Sequence, residues 1–118
     1  MLKDILVADK VYLSCGSTDF RKAVDGLAAI VTQQFKLDPF SKNIFLFCNK
    51  KKDRIKALIW DDNGFILLYK RLEEGKFQWP KSSEEARLIT PQQLRWLLEG
   101  LSIDQNKSLK KITVSDVC

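Results

Sequence analysis

Residues 43–72 read NIFLFCNKKKDRIKALIWDDNGFILLYKRL, and this stretch decides the fold. It holds three β-prone runs, Asn43 to Cys48, Ile55 to Trp60 and Phe65 to Leu72, separated by the polar segment Asn49–Arg54 and by Asp61–Gly64. Runs of this length rich in Ile, Leu, Phe and Trp and bounded by turn residues are strands. Asn63-Gly64 predicts a two-residue hairpin turn, because both central positions of a type I′ turn need positive φ. The three runs therefore form an antiparallel meander. The first and third are almost continuously apolar, which predicts cover on both faces of the sheet, one by a helix and the other by a further element or a partner chain.

Working outward, Lys10 to Cys15 with Val11, Tyr12 and Leu13 is a short strand ended by Gly16 and Ser17. Thr18 or Asp19 can cap a helix in which Phe20, Ala23, Val24, Leu27, Ile30, Val31 and Phe35 recur at three- and four-residue spacing. The opposite face carries Arg21, Lys22, Asp25, Thr32 and Gln33. Gly26 in its middle suggests close approach of another backbone. Asp38-Pro39 stops the helix, since proline disfavours the α conformation in the residue before it. Downstream, Glu74-Gly75 turns into Lys76 to Trp79, an edge strand stopped by Pro80, and Ser82 to Glu85 form a polar bridge. Thr90-Pro91-Gln92-Gln93 then supplies a capping box for a second helix with Leu94, Leu97 and Leu98 on its buried stripe and Gly100 as its stop. The fold class is α+β: an antiparallel β-meander packed on one amphipathic helix, with a second short C-terminal helix. Residues 1–101 form a single domain and 102–118 a basic tail that could add a strand at Ile112-Thr113-Val114.

Composition narrows the function. The 118 residues contain no histidine, which removes Ser-His-Asp and Cys-His nucleophile systems and His-bearing zinc sites. Three cysteines, Cys15, Cys48 and Cys118, form no CxxC pair, so a disulfide framework or thiolate zinc site is not expected and a reducing cytoplasm is the simplest location. The first ten residues, MLKDILVADK, break their apolar run with Lys3, Asp4 and Asp9, so no signal peptide or membrane anchor is expected there. Twenty basic against 15 acidic residues give a net charge of +5, which favours an anionic partner. The basic residues fall into groups: Arg21-Lys22, then Lys50-Lys51-Lys52 with Arg54, then Lys70-Arg71, then the tail lysines. Two such groups on one face would bind phosphates with little regard to base sequence. Trp60, Tyr69, Phe77 and Trp79 could stack on exposed bases, although large aromatics in the strands of a small domain are more often core.

A catalytic alternative rests on Asp61 or Asp62 followed by Glu74-Gly75-Lys76. Metal-dependent nucleases of one large class use an aspartate followed across a hairpin by Glu-x-Lys, two carboxylates holding Mg²⁺ while the lysine steadies water. The competing reading is that these are ordinary solvated turn residues.

The ordered string of motifs resembles one family, the small TnpB-type (Orf2-like) accessory proteins of insertion-sequence-66 elements, distinct from the RNA-guided nucleases that share the TnpB name. The resemblance runs through Val11-Tyr12-Leu13, Cys15-Gly16, Thr18-Asp19, Arg21-Lys22, Asp25-Gly26-Leu27 and Leu37-Asp38-Pro39-Phe40. It continues through Asp53-Arg54-Ile55-Lys56, Trp60-Asp61, Asn63-Gly64-Phe65, Tyr69 to Glu73, Gly75, Phe77, Trp79-Pro80 and Leu94 with Leu97 to Gly100. It implies a non-catalytic accessory role in transposition beside a separate, larger transposase, with no catalytic residue, metal or cofactor to carry over. The implied partners are DNA, at transposon ends or non-specifically, and the element-encoded transposase, with Arg21, Lys22, Arg54, Lys70 and Arg71 as candidate contacts. The lysines of the 50–52 loop stand where many relatives have arginine or glycine.

Overall fold

The computed structural model describes residues 9–81 and 85–105. Its strands are β1 (Lys10–Ser14), β2 (Asn43–Cys48), β3 (Arg54–Asp61), β4 (Gly64–Arg71) and β5 (Ala86–Ile89), and its α-helices are α1 (Val24–Ala29) and α2 (Pro91–Leu98). They form one sheet in the order β4-β3-β2-β1-β5. The meander is as expected: β2–β3 and β3–β4 are antiparallel and in unbroken register, from Arg54↔Arg71 to Asp61↔Gly64 in the second pair. The hairpin turn falls one residue early. Asp62, not Gly64, takes the positive φ, at 51°, and Asn63 N–H bonds back to the Asp61 carbonyl.

β1 pairs parallel with β2 and antiparallel with β5. Parallel neighbours need a crossover, and α1 supplies it, so β1-α1-β2 is a βαβ unit grafted onto the meander. The helix is shorter than its apolar periodicity predicts. Asp19 accepts from the Arg21 backbone N–H at 2.9 Å, a local turn that competes with helix formation, and Thr18 N–H is drawn to the Cys48 carbonyl at 2.8 Å. Residues 15–23 are thereby held as a loop against the sheet end, and the helix begins at Val24 with no side-chain cap. It widens into a π-helical turn, Ile30–Gln34, where Phe35 N–H reaches the Ile30 carbonyl at 3.1 Å. Lys36 ends it at φ 57°, three residues ahead of Pro39. What crowds Gly26 is no second backbone. A Cβ there would sit 3.0 Å from the Lys22 Cβ, so the glycine leaves room for the Lys22 side chain.

β2 is buried on both faces, as its apolar run predicts. Phe45, Phe47 and Leu58 pack with Leu27 and Val31 on the α1 side. Ile44, Leu46, Cys48, Ile55 and Ile59 pack on the other side with Phe77, Trp79, Leu97 and Ile103. The second cover is therefore the chain itself. Residues 76–79, expected as an edge strand, instead cross this face: Phe77 and Trp79 are buried, and Trp79 Nε1 donates to the Ser14 carbonyl at 2.8 Å. β5 lies immediately beyond the expected polar bridge, and its four residues bond to the free side of β1. α2 carries the full capping box at Thr90 and Gln93 and stops before Gly100, at φ 88°. Residues 102–105 continue the fold, with Ile103 buried and Asp104 bound to Arg87 at 2.6 Å. The Ile112–Val114 run lies outside the described residues.

Candidate nucleic-acid interface

Because β1 and β2 run parallel, the loops leaving their C-terminal ends, residues 15–23 and 49–53, open at the same end of the sheet. In α/β arrangements the crevice outside such strand ends is where ligands bind. Here two open clefts flank residues 17–19. One, about 430 Å³, lies between Ser17–Phe20 and Asn49, Lys50, Lys51 and Arg54. The other, about 540 Å³, lies between that loop and α1, with Lys22 and Gln33 in its walls.

Asn49 builds the lysine loop. Its Oδ1 accepts from the backbone N–H of Asp53 at 3.1 Å and Arg54 at 3.0 Å, and its Nδ2 donates to Asp53 Oδ1 at 2.6 Å. Lys52 adopts φ 62° and its N–H returns to the Asn49 carbonyl at 3.1 Å. Leu72 and Phe77 donate their N–H groups to the carbonyls of Asp53 and Lys52, each at 2.7 Å. A loop fixed at this many points presents Lys50 and Lys51, both exposed, with little conformational freedom left to lose on binding.

Lys56 fastens the opposite wall. It stands on the α1 face of β3, its Nζ donates to the carbonyls of Phe20 at 3.0 Å and Lys22 at 2.9 Å, and it lies 4.8 Å from the Phe20 ring centroid. Sequence reading did not single out Lys56 or Asn49 for these roles. Lys56 stands alone among apolar residues in a strand, and that is the one signal the sequence offers.

The arginines are partly committed. Arg21 pairs with Asp19 at 2.7 Å, Arg71 with Glu73 at 3.0 Å, and Arg54 with Asp53 at 3.9 Å. The Arg21 guanidinium and backbone N–H hold the Asp19 carboxyl down to about 2, and the Asn49 side chain, more than Arg54, lowers Asp53. Lys22, Lys50 and Lys51 have no carboxylate partner among the described residues, and the Arg54 Nε is buried without an acceptor. Arg54 and Arg71 are cross-strand neighbours at this end. Lys70 projects from the other face: it pairs with Ile55 and borders the apolar groove beneath Leu94 and Leu98. The structure thus brings Arg21, Lys22, Lys50, Lys51, Arg54 and Arg71 to one end, with Lys52 at the base of its loop, and sets Lys70 apart.

Of the aromatics considered for base stacking, Phe77 and Trp79 are core and Trp60 is half-buried in a cluster with Phe40 and Phe65. Tyr69 is 53% exposed. Burial pushes the Cys48 thiol up to about 12, so it is no nucleophile near pH 7.

The nuclease constellation is not assembled. Asp61 and Asp62 lie at the hairpin turn before β4, while Glu74 and Lys76 follow its far end. Eight strand residues at about 3.3 Å each put roughly 25 Å between them, where one Mg²⁺ needs ligands at about 2.1 Å. Among the described residues no group of three or more Cys, Asp or Glu is placed to hold a metal, and no helix is long and apolar enough to cross a membrane.

Comparison with known proteins agrees with the motif reading. Two proteins of Sinorhizobium fredii (strain NBRC 101917 / NGR234), the uncharacterized proteins y4jC and y4hO, are 35% and 36% identical to this chain over 92 residues, covering 78% of it and 79% and 80% of their own lengths. No solved structure matches. The family model described as "IS66 Orf2 like protein" matches residues 9–108, from the residue before β1 to beyond Ile103, and the chain belongs to this transposition-associated family of accessory proteins.

Proposed function

We propose that this accessory protein assists transposition without bond-making chemistry of its own, by holding the phosphate backbone of DNA at the basic end of its sheet. The observation that carries the reading is the gathering of Lys22, Lys50, Lys51 and Arg54 around clefts at the ends of β1 and β2, with Arg71 beside Arg54 in the register and the lysines unpaired among the described residues. Lysine ammonium groups on fixed loops are point charges suited to phosphates, and among the described residues no helix carries them to read bases. Binding is therefore expected to be weakly dependent on sequence, at transposon ends and elsewhere, in the cytoplasm of the cell that carries the element. The element's transposase would supply the cleavage chemistry and the choice of site.

The test is a salt titration of affinity for transposon-end and random duplexes. Neutralising about four phosphates gives a slope of log K against log salt near −3.6, nearly equal for the two DNAs, and each lysine removed from the 50–51 pair lowers it by about 0.9. Absence of binding at low salt would remove DNA as the direct partner and leave an acidic surface of the transposase as the counterpart of the same residues. Mg²⁺-dependent nicking of plasmid by the purified chain would overturn the non-catalytic reading.

A further inference from the structure

The two edges of the sheet are managed differently. β5 is four residues long, and Arg87 within it is bound to Asp104 by two hydrogen bonds of 3.0 and 2.6 Å. β4 is twice that length and none of its residues is buried. Leu72 N–H donates to the Asp53 carbonyl, and the same register pairs Lys70 with Ile55, Leu68 with Ala57 and Ile66 with Ile59. The alternation of an antiparallel ladder therefore turns the backbone N–H and C=O groups of Phe65, Leu67, Tyr69 and Arg71 away from β3. No described strand receives them. Edges are ordinarily protected by shortness, proline, a bulge or charge, and between Gly64 and Tyr69 this edge has none of these.

We propose that β4 is a self-association edge, pairing antiparallel with β4 of a second copy of this chain. Outward-facing residues must meet outward-facing residues, and of the two registers that pair seven of the eight strand residues, the one centred on Leu67 brings Lys70 nearer the partner's Asp62 turn. Leu67 then meets the partner's Leu67, and Phe65 meets the partner's Tyr69 on the α1 side. Ile66 meets the partner's Leu68 on the other face. Charge complementarity selects this direction. Antiparallel pairing sets Lys70 opposite the partner's Gly64, two residues from the partner's Asp62 at the turn, whereas parallel pairing would place basic against basic and acidic against acidic. The contact is isologous and closes at two copies, giving a continuous ten-stranded sheet with both α1 helices on one side. The two basic ends then lie at opposite ends of the seam and face the same way.

The experiment is sedimentation velocity on the full chain without nucleic acid, in reductant, from micromolar to hundreds of micromolar, beside hydrogen exchange at the same concentrations. The expected mass rises to twice the 13.6 kDa of one chain and no further, and the amides of Leu67 and Tyr69 slow as it does. Tyr69→Pro removes an outward N–H without touching the β3 ladder and shifts the equilibrium to single chains by tenfold or more, with an unchanged circular dichroism spectrum. Tyr69→Asp, which places a carboxylate in the seam while leaving the backbone intact, does the same if the proline variant fails to fold. A single-chain mass throughout, a dimer that survives both variants, or exchange at Leu67 and Tyr69 that ignores concentration would each overturn the proposal. None of these readouts depends on DNA binding.

Discussion

Lys56→Met separates a residue that builds the basic end from one that contacts the ligand. Methionine keeps the unbranched stem and its packing against Phe20 but removes the ammonium that donates to the Phe20 and Lys22 carbonyls at 3.0 and 2.9 Å. A hydrogen bond from a charged donor contributes about 1.5–3 kcal/mol, and one of the two lies at an exposed site, so the pair together is expected to contribute about 2 kcal/mol. For a chain of this size that corresponds to a fall in Tm of roughly 8 °C. The assay is thermal unfolding by circular dichroism beside the salt titration of DNA affinity. Because its ammonium is occupied by carbonyls, Lys56→Met should weaken DNA binding while leaving the salt slope within about 0.3 of the parent. Lys51→Ala should do the reverse: the slope falls by about 0.9 and Tm stays within about 2 °C, as for most surface substitutions. If Lys56→Met melts with the parent, or lowers the slope as much as Lys51→Ala does, Lys56 is a phosphate contact and the account of the wall at residues 20–22 is wrong.

Three further outcomes are expected. Trp79→Phe keeps most of the buried ring but loses the bond from Nε1 to the Ser14 carbonyl, and should lower stability in urea by about 1–2 kcal/mol with an unchanged m-value. Thr90→Ala removes the acceptor for Gln93 N–H and should cost about 1 kcal/mol, with exchange quickening first at the Gln93 amide. Asp19 should titrate near 2 by carboxyl NMR and return to the ordinary range near 3.9 in Arg21→Ala. Its folded value lies below the unfolded one, so whatever it contributes to stability is complete above about pH 4 and is lost as pH falls through 2. A wild-type midpoint near 4 would mean that the Asp19–Arg21 pair does not form in solution.

Local features were legible where local chemistry decides them. The capping box at Thr90, the stop at Gly100 and the double-sided burial of β2 each follow from a few adjacent residues, and each stands where the sequence puts it. The features that escaped depend on distant partners. Phe77 and Trp79 alternate as a strand would, yet the hydrogen bonds from Phe77 N–H to Lys52 and from Trp79 Nε1 to Ser14 draw that segment across the sheet. Ala86–Ile89 carries a charge and little β-branched character, and it becomes a strand because β1 has a free side for it. The helix start misled because Asp19, a good capping residue, spends its carboxylate on Arg21, and the Thr18 backbone N–H is tied to the Cys48 carbonyl at the sheet end. In the interface, the basic residue groups were visible; Lys56 was not, since its partners are backbone carbonyls 36 and 34 residues away, and Asn49 was not, although its partners lie only four and five residues on, because the loop's lysines drew the reading.

The direction of one strand explains why the cations converge. Had β1 paired antiparallel to β2, residues 15–23 would leave the sheet at the hairpin end, beside Asp61 and Asp62, and Arg21 and Lys22 would lie a strand's length from Lys50 and Lys51. Parallel pairing, Lys10↔Asn43 through Leu13↔Leu46, sends both exits to the same end. β3 must then begin there and β4 must finish there, which brings Arg54 and Arg71 side by side in the register. Four chain segments deliver their basic residues to one end through topology alone, while the acidic Asp61-Asp62 turn is carried to the other. Lys70 is the exception that checks the reasoning. It shares that end but, one residue from Arg71 on an alternating strand, it must emerge on the opposite face, so Lys70→Ala should leave the salt slope of DNA binding unchanged where Arg71→Ala lowers it.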